Sequence, residues 1–219
     1  MKKSYKEMPE SLKGTYGEFS RAFGFCWKEF VMTVPSPMFL VTTYKSNGKP
    51  NACMQSWAAF TSANRGNGFY AILASVNKSG HLYRSLQEKK EAVINFFSDD
   101  LYDACMATIR NNQFDADEIT ASGLTAEKAK WVEAPYVSEC FMNLECCYCW
   151  EKEIAPDDDH VMICLEVVGA HIDEDALADK TGDVGLVYNV HYPMNPERVT
   201  EKACDYVAVL QKKRASYEY

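Results

Sequence analysis

The sequence predicts a mainly β protein (α+β), an antiparallel barrel with helices packed on its outside. Three observations lead there. Runs of β-branched and aromatic residues recur along the chain from Met38 onward. Compact turn signals join neighbouring runs, which imposes antiparallel pairing. The element order, hairpin strands, then helix, strand and helix, then more hairpin strands, suits an antiparallel barrel with outer helices rather than a doubly wound parallel sheet.

In chain order, residues 9 to 30 carry Glu, Lys and aromatics but also Gly14 and Gly17. They read as a partly helical N-terminal arm, assigned to residues 1–34. Met38 to Lys45 is the first strand and ends at Ser46-Asn47-Gly48-Lys49, where Asn-Gly tolerates positive φ and signals a hairpin. The returning strand is Pro50 to Phe60. After the loop 62–68, a third strand runs from Phe69 to Val76. Ser79 is placed as the cap of a helix reaching about Lys90, with Leu82, Tyr83 and Leu86 on one face. The strand Ala92 to Phe97 follows, and Ser98-Asp99-Asp100 caps a short helix through Ile109.

Residues 111–123 read as irregular, and Thr125 as opening a helical turn through Lys130. Two long strands, Tyr136 to Glu153 and His160 to Asp173, are joined by the turn Pro156-Asp157-Asp158-Asp159. Asn195-Pro196-Glu197 starts a C-terminal helix that buries Val199, Ala203, Tyr206, Val207 and Leu210. Residues 35–219 are thereby expected to form a single domain.

The 219 residues are 47% hydrophobic and 25% charged, enough for one sizeable core. A net charge of −8 argues against nucleic acid as a partner, because it repels phosphate backbones. The short basic run Gln211-Lys212-Lys213-Arg214 reads as a solvated helix end. No apolar run suits a signal peptide or a membrane span, so a soluble, cytoplasmic protein is expected. The nine cysteines are then reduced thiols rather than a disulfide framework.

The chain contains no GxGxxG, Walker A, HExxH or GxSxG motif. Cys140, Cys146, Cys147 and Cys149 cluster, and Cys146 and Cys149 have CxxC spacing. On a strand, Cys147 and Cys149 share one face and Cys146 lies on the other. A second ligand pair is missing, so buried thiols are favoured over zinc and no metal site is assigned. His81, His160, His171 and His191 suggest no triad by spacing. Around Asn77-Lys78-Ser79-Gly80-His81 a strand ends and a helix opens. Backbone N–H groups, a lysine and a hydroxyl there suit a phosphate, with an ordinary capped helix as the alternative.

Several segments, taken together, resemble the flavin reductase-like family that includes flavoredoxin. The first is Pro37 to Thr43 with Asn47-Gly48-Lys49-Pro50-Asn51-Ala52 and Ser56-Trp57. The next are Ser75-Val76-Asn77-Lys78-Ser79 with His81, and Val93-Ile94-Asn95. Phe114 to Asp117 with Ala121 to Thr125, Ala134 to Cys140 with Asn143 to Cys146, and Asp159-His160 with Glu166-Val167 complete the series. The resemblance covers about residues 35 to 175.

It implies an FMN-binding split β-barrel that dimerises and holds FMN near the subunit interface. By carry-over, Thr42, Thr43, Asn51, Ala52, Cys53, Met54, Ser56 and Trp57 would line the ring and ribityl chain. Ser75, Asn77, Lys78, Ser79 and His81 would sit near the phosphate, with Asn95 supporting from the next strand. Three positions depart from the family habit: Met54 replaces a common Thr, and Gly80 and Leu82 stand where Arg and Thr are frequent. The implied activity is hydride transfer from NADH or NADPH through FMN to an acceptor, and the catalytic residues are unknown. Two alternatives stay open: a flavin- or haem-binding electron-transfer or sensor module on the same barrel, and a metal-binding protein using the Cys140–Cys149 cluster.

Overall fold

The computed structural model describes residues 2–10, 26–30, 34–177, 185–191 and 206–210. The chain divides into two compact units, one running through Ser36 and resuming at Tyr188–Val209, the other built on Pro37–Val187. The larger unit carries seven antiparallel strands. In chain order, with the two-residue strand β1 (Ser36–Pro37) counted first, they are β2 (Phe39–Tyr44), β3 (Pro50–Gln55), β4 (Ala58–Ala63), β5 (Gly68–Asn77), β6 (Glu91–Phe96), β9 (Met142–Lys152) and β10 (His160–Ile172). Between β6 and β9, β7 (Ala126–Lys128) and β8 (Pro135–Val137) form a hairpin of their own. The spatial order of the main sheet is β3-β2-β6-β9-β10-β5-β4. The remaining strands, β11 (Leu186–His191) and β12 (Tyr206–Leu210), join β1 in a small sheet of order β1-β11-β12.

The β2–β3 hairpin forms where the sequence predicts it, by a different turn. Only Gly48 has positive φ, at 76°. Gly48 N–H donates to Lys45 O and Lys45 N–H to Lys49 O, both at 2.9 Å. A turn followed by a left-handed glycine keeps the two strands in register.

The expected strand Pro50 to Phe60 is broken at Ser56-Trp57. The chain leaves one edge of the sheet at Gln55 and enters the opposite edge at Ala58. The core lies beneath, with Phe39, Val41, Leu73, Ile94, Ile163 and Leu165 fully buried. The Phe39 ring meets Phe60 at 5.8 Å and Phe96 at 5.4 Å between centroids.

Helix α1 (His81–Lys89) buries Leu82 and Leu86 as expected. Its N-cap is Gly80 with no side-chain bond, not Ser79, whose hydroxyl donates to Asn77 Oδ1 at 2.7 Å. Residues Asp99–Leu101 form a 3-10 turn ahead of α2 (Tyr102–Arg110).

Two further expectations are corrected. The segment 111–123 contains a helical turn, α3 (Glu118–Ala121), capped by Asp117, which accepts from Thr120 N at 3.0 Å. The segment after Thr125 is strand β7, not helix. Ala, Glu and Lys are good helix formers, but Glu127 takes the Tyr136 hydroxyl across the hairpin at 2.7 Å. Tertiary pairing outweighs propensity here. A short helix, α4 (Glu174–Leu177), follows β10.

The C-terminal helix expectation also fails over Tyr206–Leu210, which is a strand in keeping with its Tyr-Val-Ala-Val-Leu composition. Asn195 to Ala203 lie outside the described residues. Among the described residues no helix is long and apolar enough to cross a membrane.

Candidate functional site

Strand β3 is an edge strand among the described residues. Its pairing with β2 sets Thr42 opposite Ala52 and Leu40 opposite Met54. Ala52 N–H points away from β2, because it donates to Glu118 Oε2 at 3.0 Å. Backbone polarity alternates along a strand, so the N–H and C=O of Met54 also face outward. Cys53, Met54, Gln55, Ser56 and Trp57 are all half-buried. This stretch therefore presents apolar side-chain surface beside outward-facing backbone donors and acceptors, which is what a planar heteroaromatic ring with a polar edge requires.

Glu118 ties that edge to the start of α1. Its Oε1 lies 2.9 Å from Lys45 Nζ and 3.4 Å from His81 Nδ1. Lys45 and Glu118 are 2% and 1% exposed, and the ammonium also donates to Gln113 O at 2.9 Å and Ala116 O at 2.7 Å. All three ammonium protons thus have acceptors, which is the condition for burying such a pair. His81 is the first residue of α1, and Phe114 meets its ring edge-on at 6.1 Å. The α1 N-terminus, with no side-chain cap, offers backbone N–H groups and positive dipole character to an anion.

The residues singled out from the sequence divide into three groups. Met54, Ser56, Trp57 and Cys53 lie on the half-buried stretch of β3 and its exit, and His81 and Ser79 lie at the α1 entrance. Thr42, Thr43, Asn51, Ala52 and Asn95 are buried, and the polar side chains among them bond within the protein. Asn95 Nδ2 donates to Thr42 Oγ1 at 3.0 Å, and Asn95 Oδ1 accepts from Val137 N and Asn143 Nδ2, both at 2.9 Å. Asn51 Nδ2 donates to Thr43 Oγ1 at 3.2 Å. These side chains brace β2, β3 and β6 from behind. Lys78 forms the third group with Asn77 and Ser75: its ammonium pairs with Glu153 and donates to Asp158 O at 2.7 Å, while Asn77 and Ser75 are exposed. Burial pushes the Cys53 thiol up, the Gln55 amide draws it down by a smaller amount, and the nearby Glu118 carboxylate adds to the rise.

Sequence reasoning missed Lys45 and Glu118, which lie 73 residues apart. It also missed a second buried carboxylate. Glu145 accepts from the N–H groups of Lys130, Trp131 and Val132 at 2.8, 2.6 and 2.9 Å, and from His171 Nε2 at 2.5 Å. Burial alone raises its pKa, but these donors outweigh burial and hold it below the usual carboxylate range. His171 stacks on Tyr136 at 4.9 Å. The only signal in the sequence was a Glu at a core position of an alternating strand.

The cysteines separate by burial. Cys146 and Cys140 are buried, Cys147 is half-buried and Cys149 is exposed, and among the described residues no three His, Cys, Asp or Glu groups converge as metal ligands. Burial pushes the Cys105 thiol up to about 12 and the Cys164 thiol up to about 11, and those of Cys140 and Cys146 higher. Thiolate is the nucleophile, so these thiols are inert at neutral pH. Maleimide treatment of the folded protein is expected to label Cys149, and to label Cys105, Cys140 and Cys146 only after denaturation. Peptide mass spectrometry checks this, and labelling of Cys146 in the native state would contradict it. A separate cleft of about 260 Å³ lies at the far end of the β2–β3 hairpin, lined in part by Tyr44, Ser46, Lys89 and Glu133. Lys45 lines it as well, whereas Met54, Trp57 and His81 do not.

Comparison with known proteins places this geometry in context. No curated protein matches the chain. Among solved structures, the flavoredoxin of Desulfovibrio vulgaris (Miyazaki F) is similar at 22% identity and a TM-score of 0.66, covering 83% of this chain and 90% of that one. Nitrilotriacetate monooxygenase component B from Bacillus cereus is similar at 16% identity and a TM-score of 0.70, covering 98% of this chain and 100% of that one. The NADH:FAD oxidoreductase of Streptomyces globisporus C-1027 follows at 16% identity and a TM-score of 0.54, covering 78% and 84%. These likenesses establish the split-barrel fold. The family model for the flavin reductase like domain matches residues 31–193, most of the sequence, and so the chain belongs to the flavin reductase-like family, with a flavin as its implied cofactor or substrate.

Proposed function

We propose that the protein is an FMN-binding reductase that takes hydride from NADH or NADPH and passes electrons to an acceptor, working as a cytoplasmic homodimer. The observation that carries the reading is the family match across residues 31–193. The half-buried face of β3 beside the α1 N-terminus supports it, because that face has the donor and acceptor pattern a flavin needs. The preference for FMN over FAD rests on the resemblance at Asn51–Trp57 and Asn77–His81. Bound flavin would supply the hydride acceptor and the return of electrons.

The chain's own residues have distinct tasks in this reading. The outward N–H of Met54 orients the polar edge of the ring. The N–H groups opening α1, with His81, receive the phosphate. Lys78 takes a smaller part than the resemblance implies, because its ammonium is already engaged by Glu153 and Asp158. Gly80 and Leu82 supply no guanidinium or hydroxyl in compensation, so phosphate affinity depends on backbone donors.

The test is a visible absorption spectrum of purified protein with and without FMN, followed by anaerobic titration with each nicotinamide and by sizing of the loaded protein. Flavin bands, or their appearance on adding FMN, and bleaching by NADH or NADPH are expected. A colourless protein that takes up no FMN would remove the reading. Bands that no nicotinamide bleaches would favour an electron-transfer module instead.

A further inference from the structure

We propose that Glu118, paired with Lys45, is a positioning residue that sets both ends of the flavin site at once, the ring end through Ala52 and the phosphate end through His81. The inference rests on the flavin reading above and adds two residues that the resemblance does not include.

Three bonds carry it. Glu118 Oε2 takes the outward N–H of Ala52 at 3.0 Å. On an edge strand this is the donor next in line to that of Met54, two residues on. The carboxylate therefore closes the open edge at Ala52 and leaves Met54 as the next open position. Glu118 Oε1 lies 3.4 Å from His81 Nδ1. A carboxylate facing Nδ1 fixes the proton there and fixes the ring plane. That leaves Nε2 as the atom His81 can present at the first turn of α1. With the ring so held, the backbone N–H groups of the first turn of α1 are the phosphate donors beside it.

Lys45 makes the arrangement rigid rather than merely charged. Its ammonium is shared among Glu118, Gln113 O and Ala116 O, so the loop carrying α3 is tied to the end of β2. Glu118 is thereby held on the one strand-edge donor and the one imidazole nitrogen it serves. An ion pair this deeply buried is costly unless every valence is used. Here the carboxylate uses two of its contacts, Ala52 and His81, on the candidate site.

The experiment uses the full chain, E118Q and the double variant K45M/E118Q. The double variant removes both charges together, and its circular dichroism is expected to match the wild type. Affinities are measured for FMN and for riboflavin, which lacks the phosphate, and the His81 tautomer is read from imidazole ¹⁵N shifts. In the folded double variant the FMN Kd is expected to rise about tenfold or more, against less than about threefold for riboflavin. In the double variant the glutamine oxygen serves Ala52 N–H and its NH2 group faces Nδ1, so the Nδ1–H signature of His81 should be lost there. FMN affinity within about twofold of wild type, or equal losses for FMN and riboflavin with an unchanged tautomer, would overturn the proposal. If the wild type binds neither flavin, the flavin reading fails and takes the proposal's site with it. The tautomer measurement then decides the Glu118–His81 contact on its own.

Discussion

Lys45→Met alone is expected to cost about 3–5 kcal/mol of folding stability, far more than a surface lysine would. The substitution leaves the Glu118 carboxylate, 1% exposed, without its counter-charge. It also strips the carbonyls of Gln113 and Ala116 of their ammonium donor. An uncompensated buried charge is penalised by desolvation with nothing to offset it. The double variant K45M/E118Q should recover most of the loss, because replacing both partners of a buried pair is often neutral. Urea unfolding of the two single variants and the double variant gives the coupling directly. A K45M loss below about 1 kcal/mol would mean that water reaches the pair and that it behaves as a surface bridge.

Glu145→Ala should be of similar size, at least about 3 kcal/mol, by a different route. Here no cation is buried. Instead the carboxylate satisfies three consecutive backbone N–H groups between β7 and β8, at 2.8, 2.6 and 2.9 Å. Removing it strands donors in a segment whose Val132 is buried, and frees His171 from its partner. The same group gives a pH signature. Its folded carboxyl titrates below the ordinary 4.5, because the N–H donors and His171 outweigh the effect of burial. The stabilisation is therefore fully present above that ordinary value and is lost as pH falls through the depressed folded value. The stability difference between wild type and Glu145→Gln should shrink in that acidic window and be flat above it. Unfolding midpoints measured stepwise from neutral to acidic pH provide the check. A difference that stays constant through the window would contradict the assignment.

The parts of the fold that could be read from the sequence are those whose signals are local. The Asn47-Gly48 turn, the strand expected from Phe69 to Val76 and the Leu82/Leu86 face of α1 each rest on signals within a few residues of one another. Strand β7 could not be read, because Ala-Glu-Lys has helical propensity and only its hairpin partner and Glu127–Tyr136 make it a strand. The strand at Tyr206–Leu210 was misread for a related reason, since a capping signal at Asn195-Pro196 outweighed a β-branched run.

The candidate site shows the same division. Met54, Trp57 and His81 belong to recognisable segments. Thr42 and Asn95 belong to them too, yet their side chains are spent on each other at 3.0 Å, which strand periodicity cannot reveal. Lys45 and Glu118 left no trace in the sequence, because an ion pair across 73 residues has no spacing rule.

The interruption at Ser56-Trp57 has a kinetic consequence. Three pairings are local hairpins: β2 with β3, β4 with β5, and β9 with β10. Each brings together neighbours in the chain and pays little loop-closure entropy. The pairings that assemble the sheet are remote: β2 with β6, β6 with β9, and β5 with β10, where His160 meets Asn77. Because the two residues Ser56 and Trp57 tether the first hairpin to the second, neither hairpin can dock independently of the other. The central strands must therefore arrive between two halves that are already joined. Refolding should show early, local hairpin formation followed by a slower step that acquires the remote pairings together, as expected for a topology of high contact order.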